Sequence, residues 1–167
     1  MTEAISTIGE RARELRRDFD RSFASPPVGG SAGMTDLLAI RLGTSNLAVR
    51  LAEIAGLFVD KPTTPVPGSS AALVGITGFR GTIVPVYDLQ QLIGQSKSPS
   101  ARWLFLAAAA PIAFAFEFFA GQLRVPSDAI KPQQADAKQG FAHDFVRTDG
   151  VLRPILELKS VIATIKN

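Results

Sequence analysis

The chain has no cysteine. Disulfides, thiolate metal sites and a cysteine nucleophile are therefore excluded, and a reducing compartment is compatible with that lack. Its single histidine, His143, stands beside Asp144. Neighbours on a strand point to opposite faces, so the two do not form a dyad. Without a second histidine or a suitably placed serine, the several convergent groups that catalysis or metal binding requires are missing. Long hydrophobic runs are lacking too. The nearest approach to a membrane segment, Trp103–Phe116, is uncharged for 14 residues and holds Pro111, whereas a spanning helix needs about 20 apolar residues. The first ten residues already carry Glu3 and Glu10 and contain no apolar stretch of about 7 to 15 residues, which predicts no secretory signal and a cytoplasmic protein without direct membrane insertion. A dominant charge is also absent: 18 basic residues face 15 acidic ones, for a net +3. The basic residues beyond the N-terminal segment are scattered singly, whereas nucleic acid calls for a stripe of them. Gly75, Gly78 and Gly81 fit neither of the common phosphate-loop spacings, so nucleotide binding has no support.

What the chain does contain is a globular composition, 46% hydrophobic and 20% charged over 167 residues, about the size of one domain. Residues 1–24 read as an N-terminal amphipathic helix. Ile8, Ala12, Leu15, Phe19 and Phe23 recur at helical spacing, with Thr7 and Glu10 as a capping box. Its apolar stripe suits either packing on this chain's own core or docking in a partner's groove. Residues 25–35, rich in proline and glycine, read as a flexible linker. From residue 36 the period becomes that of strands: LLAIRLG, LAVRLAEI, AGLFVD, LVGITGF, TIVPVYD, RWLFLAA, PIAFAFEFF, GQLRVP, FAHDFVRT and VLRPILEL. A short helix follows Asp88, another closes the chain, and Asp149-Gly150 is a strong hairpin signal. About ten short strands imply an all-β core.

The core also reads as two similar halves, roughly 37–94 and 102–166. IVPVYDLQQLIG and LRPILELKSVIA align with Pro85 on Pro154 and Asp88 on Glu157. The segment LVGITGFRGTIVPVYDLQQLIG stands out, because Arg80 is the one full charge between Leu73 and Val86 and sits in a tight turn between two apolar strands. It can serve as a binding residue displayed on a rigid turn, or it can pair with a nearby acid such as Asp88. Arginine's planar fork suits the first role. At Phe116–Phe119 the alternation breaks, so one phenylalanine must lie at a bulge or be exposed.

The pieces LLAIRLGTSNLAVRLAEIAGLF, LVGITGFRGTIVPVYDLQQLIG, IAFAFEFFAGQLRVPSDAIKP and VRTDGVLRPILELKSVI together resemble the CheW-like domain, the adaptor fold of bacterial chemosensory systems. The resemblance implies a domain over 36–167 of two intertwined five-stranded, SH3-like β-barrel subdomains, catalytically inert and without cofactor or metal. It implies a non-enzymatic scaffold between a CheA-type histidine kinase and the cytoplasmic tip of a chemoreceptor, a methyl-accepting chemotaxis protein. The receptor-facing positions would be Ile54, Gly75, Arg80 and the segment at Glu117 and Phe118. The ends of the barrels would face the kinase. The chain departs from the family pattern in having Gly78-Phe79-Arg80-Gly81 where Asn-Leu-Arg-Gly is usual, Gly56 where a glutamate is common, Glu117-Phe118 where an aspartate and a small residue are usual, and His143-Asp144 near a customary glycine. The alternative from another class is a small β-barrel binding single-stranded nucleic acid, which requires aromatics interleaved with a basic groove. Here the aromatics lie in apolar strands instead.

Overall fold

The computed structural model describes residues 33–67, 70–132 and 140–165. The expected N-terminal helix and most of the linker lie outside them. The described residues form eleven strands: β1 Met34–Leu42, β2 Ser45–Arg50, β3 Ile54–Val59, β4 Leu73–Phe79, β5 Thr82–Asp88, β6 Trp103–Ala107, β7 Ala113–Phe116, β8 Phe118–Pro126, β9 Lys131–Pro132, β10 Ala142–Thr148 and β11 Val151–Leu156. Two helices complete them, α1 Leu89–Leu92 and α2 Leu158–Ile165.

The strands make two sheets, of order β8-β1-β2-β11-β10-β9 and β3-β6-β7-β5-β4. Both follow one plan. An antiparallel pair, β1–β2 or β6–β7, takes a parallel neighbour from a later or earlier hairpin, β11 beside β2 and β5 beside β7. The register is the same in the two halves: Ile155 lies opposite Ala48 as Val86 lies opposite Ala113, and Pro154 opposite Phe145 as Pro85 opposite Ile76. Each sheet mixes the two halves: β1 and β2 of the first lie among β8 to β11 of the second, and β6 and β7 of the second lie among β3 to β5 of the first. The chain leaves β2 through a 3-10 turn, Leu51–Glu53, and β3 then pairs with β6. It leaves β7 through Glu117, and β8 then pairs with β1. The halves are thus intertwined.

The expected pair of closed five-stranded barrels is corrected in two respects. One sheet has six strands because the two-residue β9 adds to β10, and the end strands of each sheet are not hydrogen-bonded to one another, so both are open. β1 begins at Met34, so the last two residues of the expected linker are strand. The single strand expected over 111–119 is two, because all four side chains of Ala113–Phe116 are buried. A strand enclosed on both faces cannot continue unchanged into one with a solvent face. The break falls at Glu117, whose Oε2 accepts the Gly43 N–H at 3.1 Å.

Packing follows the same plan. One face of each sheet contributes to a shared core in which Leu38, Ile40 and Val49 meet Phe105, Phe114 and Phe116, closed by Leu89 of α1 and Val161 of α2. The opposite faces bury separate clusters, Leu37, Ala48, Val146 and Ile155 in one sheet and Val84, Val86, Leu104 and Ala113 in the other. Leu37 and Leu104, Ala48 and Ala113, and Ile155 and Val86 occupy equivalent places. A central sheet with both faces covered explains why these strands read as nearly continuous apolar runs.

Glu53, in the turn between β2 and β3, accepts a hydrogen bond from the Leu158 backbone at the start of α2, while its Oε2 is buried without a partner. Burial pushes its carboxyl above the ordinary range, against the pull of that hydrogen bond and of Arg50. A raised carboxyl favours the folded state when protonated, so its contribution to stability grows as pH falls through the folded-state value and is lost as pH rises. Glu53→Gln keeps the acceptor and removes the charge. Its urea midpoint should exceed that of the parent near neutral pH, with the difference shrinking in acid; a midpoint below the parent at neutral pH would show that the charge is stabilising.

Candidate functional site

The β4–β5 hairpin closes on two residues. Phe79 lies opposite Thr82, and between them Arg80 has φ 46° and Gly81 φ 81°. Two positive φ values define the turn that matches strand twist, for which Asn-Gly is the favoured pair. An arginine in the first place is strained by roughly 1 kcal/mol or more. Strain at an exposed side chain makes Arg80 a candidate for a role beyond the turn itself. The equivalent hairpin of the second half, β10–β11, turns the same way on Asp149 (φ 51°) and Gly150 (φ 75°).

Arg80 does not pair with Asp88. That aspartate is 1% exposed and caps α1, accepting the backbone N–H of Gln91 at 3.1 Å and that of Ser98 at 3.0 Å. Arg80 instead stands at the rim of a groove of about 740 Å³, with Phe58 and Phe79 on its floor and the run Ala107–Pro111 as a wall. The two rings lie 4.7 Å apart, centroid to centroid. Lys61 reaches over them, its Nζ 4.7 Å from the Phe79 ring centre and 5.6 Å from that of Phe58. Lys61, Phe58 and the alanine wall escaped the sequence reading. The wall is the β6–β7 connection, which the apolar pattern disguised as parts of two strands; the four consecutive alanines before Pro111 were the available signal.

The other expected site residues divide. Ile54 opens β3 opposite Ala107, and its neighbour Ala55 lines the groove. Gly75 is buried in β4 at a bulge. A Cβ there would lie 2.2 Å from the Thr64 carbonyl oxygen, so the glycine permits the close approach by which Thr64 bridges Ile76. Its equivalent in the second half is Asp144, which pairs with Arg50. Phe118 is 46% exposed, in the other sheet, with the Arg41 guanidinium 4.5 Å above its ring. It follows the Phe116 end of β7, whereas the groove wall precedes the Ala113 end. Of the four, only Arg80 lines the groove; Ile54 packs against the shared core next to the groove residue Ala55, Gly75 lies in the strand that leads to the Arg80 turn, and Phe118 belongs to a separate patch. Phe119, next to it, turns inward onto Trp103, with ring centres 5.1 Å apart.

His143 Nε2 lies 3.4 Å from Glu157 and Asp144 pairs with Arg50, so the two neighbours serve different partners. Among the described residues no group of three or more His, Cys, Asp or Glu side chains could hold a metal ion, and no helix is long and apolar enough to cross a membrane.

With the intertwined halves and the displayed Arg-Gly turn established, residues 36–166 match the family model described as the CheW-like domain. The chain belongs to the CheW-like domain family. It is 23% identical over 138 residues to a probable chemotaxis protein CheW of Rhizobium etli, covering 78% of this chain and 89% of that protein. It is 24% identical over 136 residues to a chemotaxis protein CheW of Rhizobium meliloti, covering 77% and 88%. Its fold is similar to the crystal structure of the scaffolding protein TtCheW from Thermoanaerobacter tengcongensis, with a TM-score of 0.67, 16% identity, and 74% of this chain and 88% of that one covered. Family membership and the mostly β, two-sheet core support a chemotaxis adaptor.

Proposed function

We propose that this CheW-like domain couples a chemoreceptor to a CheA-type histidine kinase in the cytoplasm, with its two sheets acting as barrel-like halves that hold both partners in fixed geometry. The observation that carries this reading is Arg80. It is exposed, strained in a tight turn, and makes no hydrogen bond or ion pair among the described residues. Arg80 contacts the receptor at the groove, Ile54 does so from the start of β3 beside it, Gly75 holds the strand that presents Arg80, and Phe118 offers an aromatic anchor on the second patch. A scaffold of this kind works by linkage: receptor states that bind it differently shift the kinase's equilibrium by that difference.

Arg80→Glu should abolish receptor recruitment in co-sedimentation with receptor and kinase, with the denaturation midpoint close to that of the parent. Arg80→Asn should also lose recruitment while matching or exceeding the parent in stability, because asparagine accepts the left-handed backbone. Unfolding of both variants would show that the arginine is a structural clamp and remove it from the site.

A further inference from the structure

The groove beside Arg80 combines features that ordinary surface does not. Its floor is the Phe58–Phe79 pair and its wall the small residues Ala107–Pro111. It has two cations and no acid: Lys61 and Arg80 both line it, and none of its lining residues is Asp or Glu. Neither cation has an ion pair among the described residues. The closest acid in sequence, Asp60, is taken by Arg102, at 2.8 Å from Nε and 2.5 Å from the terminal nitrogen. That arginine holds the Asp60 carboxyl below its ordinary range. Lys61 is fixed by its position over the two rings, an arrangement that leaves the ammonium hydrogens free to meet an acceptor while the ring faces favour the cation.

We infer that this groove binds an apolar segment of a protein partner that carries a carboxylate, seated between Lys61 and Arg80 while its apolar side chains lie against Phe58, Phe79 and the alanine wall. The inference rests on the adaptor reading and adds the chemistry of the partner surface. Small wall residues let a partner's backbone or ridge approach closely, and an acidic side chain supplies the charge complementarity that fixes register. Two cations are too few for a nucleic-acid backbone, which needs an extended basic stripe. An acidic protein segment is the occupant that matches both the apolar floor and the paired charges.

The test uses the full chain, isotope-labelled, and a short capped amphipathic peptide of leucine, alanine and glutamate as probe, beside the same peptide with glutamine for glutamate. The glutamate peptide should shift the amide signals of Phe58, Lys61, Arg80 and Ala108 to Ala110. The glutamine peptide and the Lys61→Glu variant should each weaken binding by about tenfold or more. Ala109 is exposed, so Ala109→Trp fills the groove without entering the core and should abolish the shifts in a folded protein. Equal binding of the two peptides, shifts elsewhere on the chain, or none at all would overturn the inference. Co-purification of receptor and kinase with the parent chain separates the two readings. Retained partners with no peptide binding overturns the groove assignment alone, and peptide binding with no retained partner overturns the adaptor reading alone.

Discussion

Gly75→Ala is expected to destabilise the domain by about 2 to 4 kcal/mol, a large effect for one methyl group. The added Cβ would sit 2.2 Å from the Thr64 oxygen, 2.7 Å from its carbonyl carbon and 3.0 Å from Thr63 Cγ2. Two of these are backbone atoms, and they cannot rotate away. Relief requires Thr64 to leave Ile76, breaking the hydrogen bonds of 2.8 and 2.9 Å that join them. Each such bond contributes about 1 kcal/mol, and overpacking in a tight site costs about 1 to 3 kcal/mol. Gly78→Ala on the same strand is the control: nothing lies within 4 Å of a Cβ there, and the change should stay within about 0.5 kcal/mol. Urea denaturation of the two variants makes the comparison, and faster amide exchange at Thr64 and Ile76 in Gly75→Ala locates the damage. Equal stabilities would show that the loop yields freely and that Gly75 is not retained for packing.

Asp88→Ala should cost a comparable amount, about 2 to 4 kcal/mol, by a different route. The carboxylate is buried and accepts two backbone N–H groups, one at the start of α1 and one at Ser98, ten residues on. Loss of a helix cap costs about 1 kcal/mol. Hydrogen bonds to a charged acceptor are worth about 1.5 to 3 kcal/mol, and a buried N–H left at Ser98 adds its own desolvation penalty. Asp88→Asn retains one acceptor oxygen and should lose less. Glu157 holds the equivalent place in the second half. Its carboxylate accepts the Ser160 hydroxyl at 2.5 Å while its backbone oxygen receives Ser160 and Val161 N–H, but its side chain is 39% exposed. Glu157→Ala should therefore be milder than Asp88→Ala. Thermal unfolding of the pair decides it; an equal or greater loss at Glu157 would mean that burial does not set the value of the cap.

Where sequence reading stopped short, local pattern gave way to distant contact. Asp88 was legible as the start of a helix after a strand, yet its second partner, Ser98, depends on how the following loop folds back. Arg80 was legible because a lone charge in an apolar hairpin has few explanations, but the two that remained could be separated only by locating Asp88. Gly75 and Phe118 were grouped with Arg80 by resemblance. The fold assigns them to a buried bulge and to another sheet.

Alternation of apolar residues, the Arg80-Gly81 and Asp149-Gly150 turns and the repeated Pro-to-acid spacing are local properties, and the sequence by itself determined from them an all-β core of two like halves. Strand partners were decided by the tertiary structure, because backbone ladders carry no side-chain code for which distant strand is adjacent. Nothing in β3 or β8 announces that each crosses to the opposite half. The groove exists for the same reason: Phe58, Lys61, Phe79, Arg80 and Ala107–Pro111 come from three separate stretches of chain, and only the exchange of β3 onto β6 brings them together.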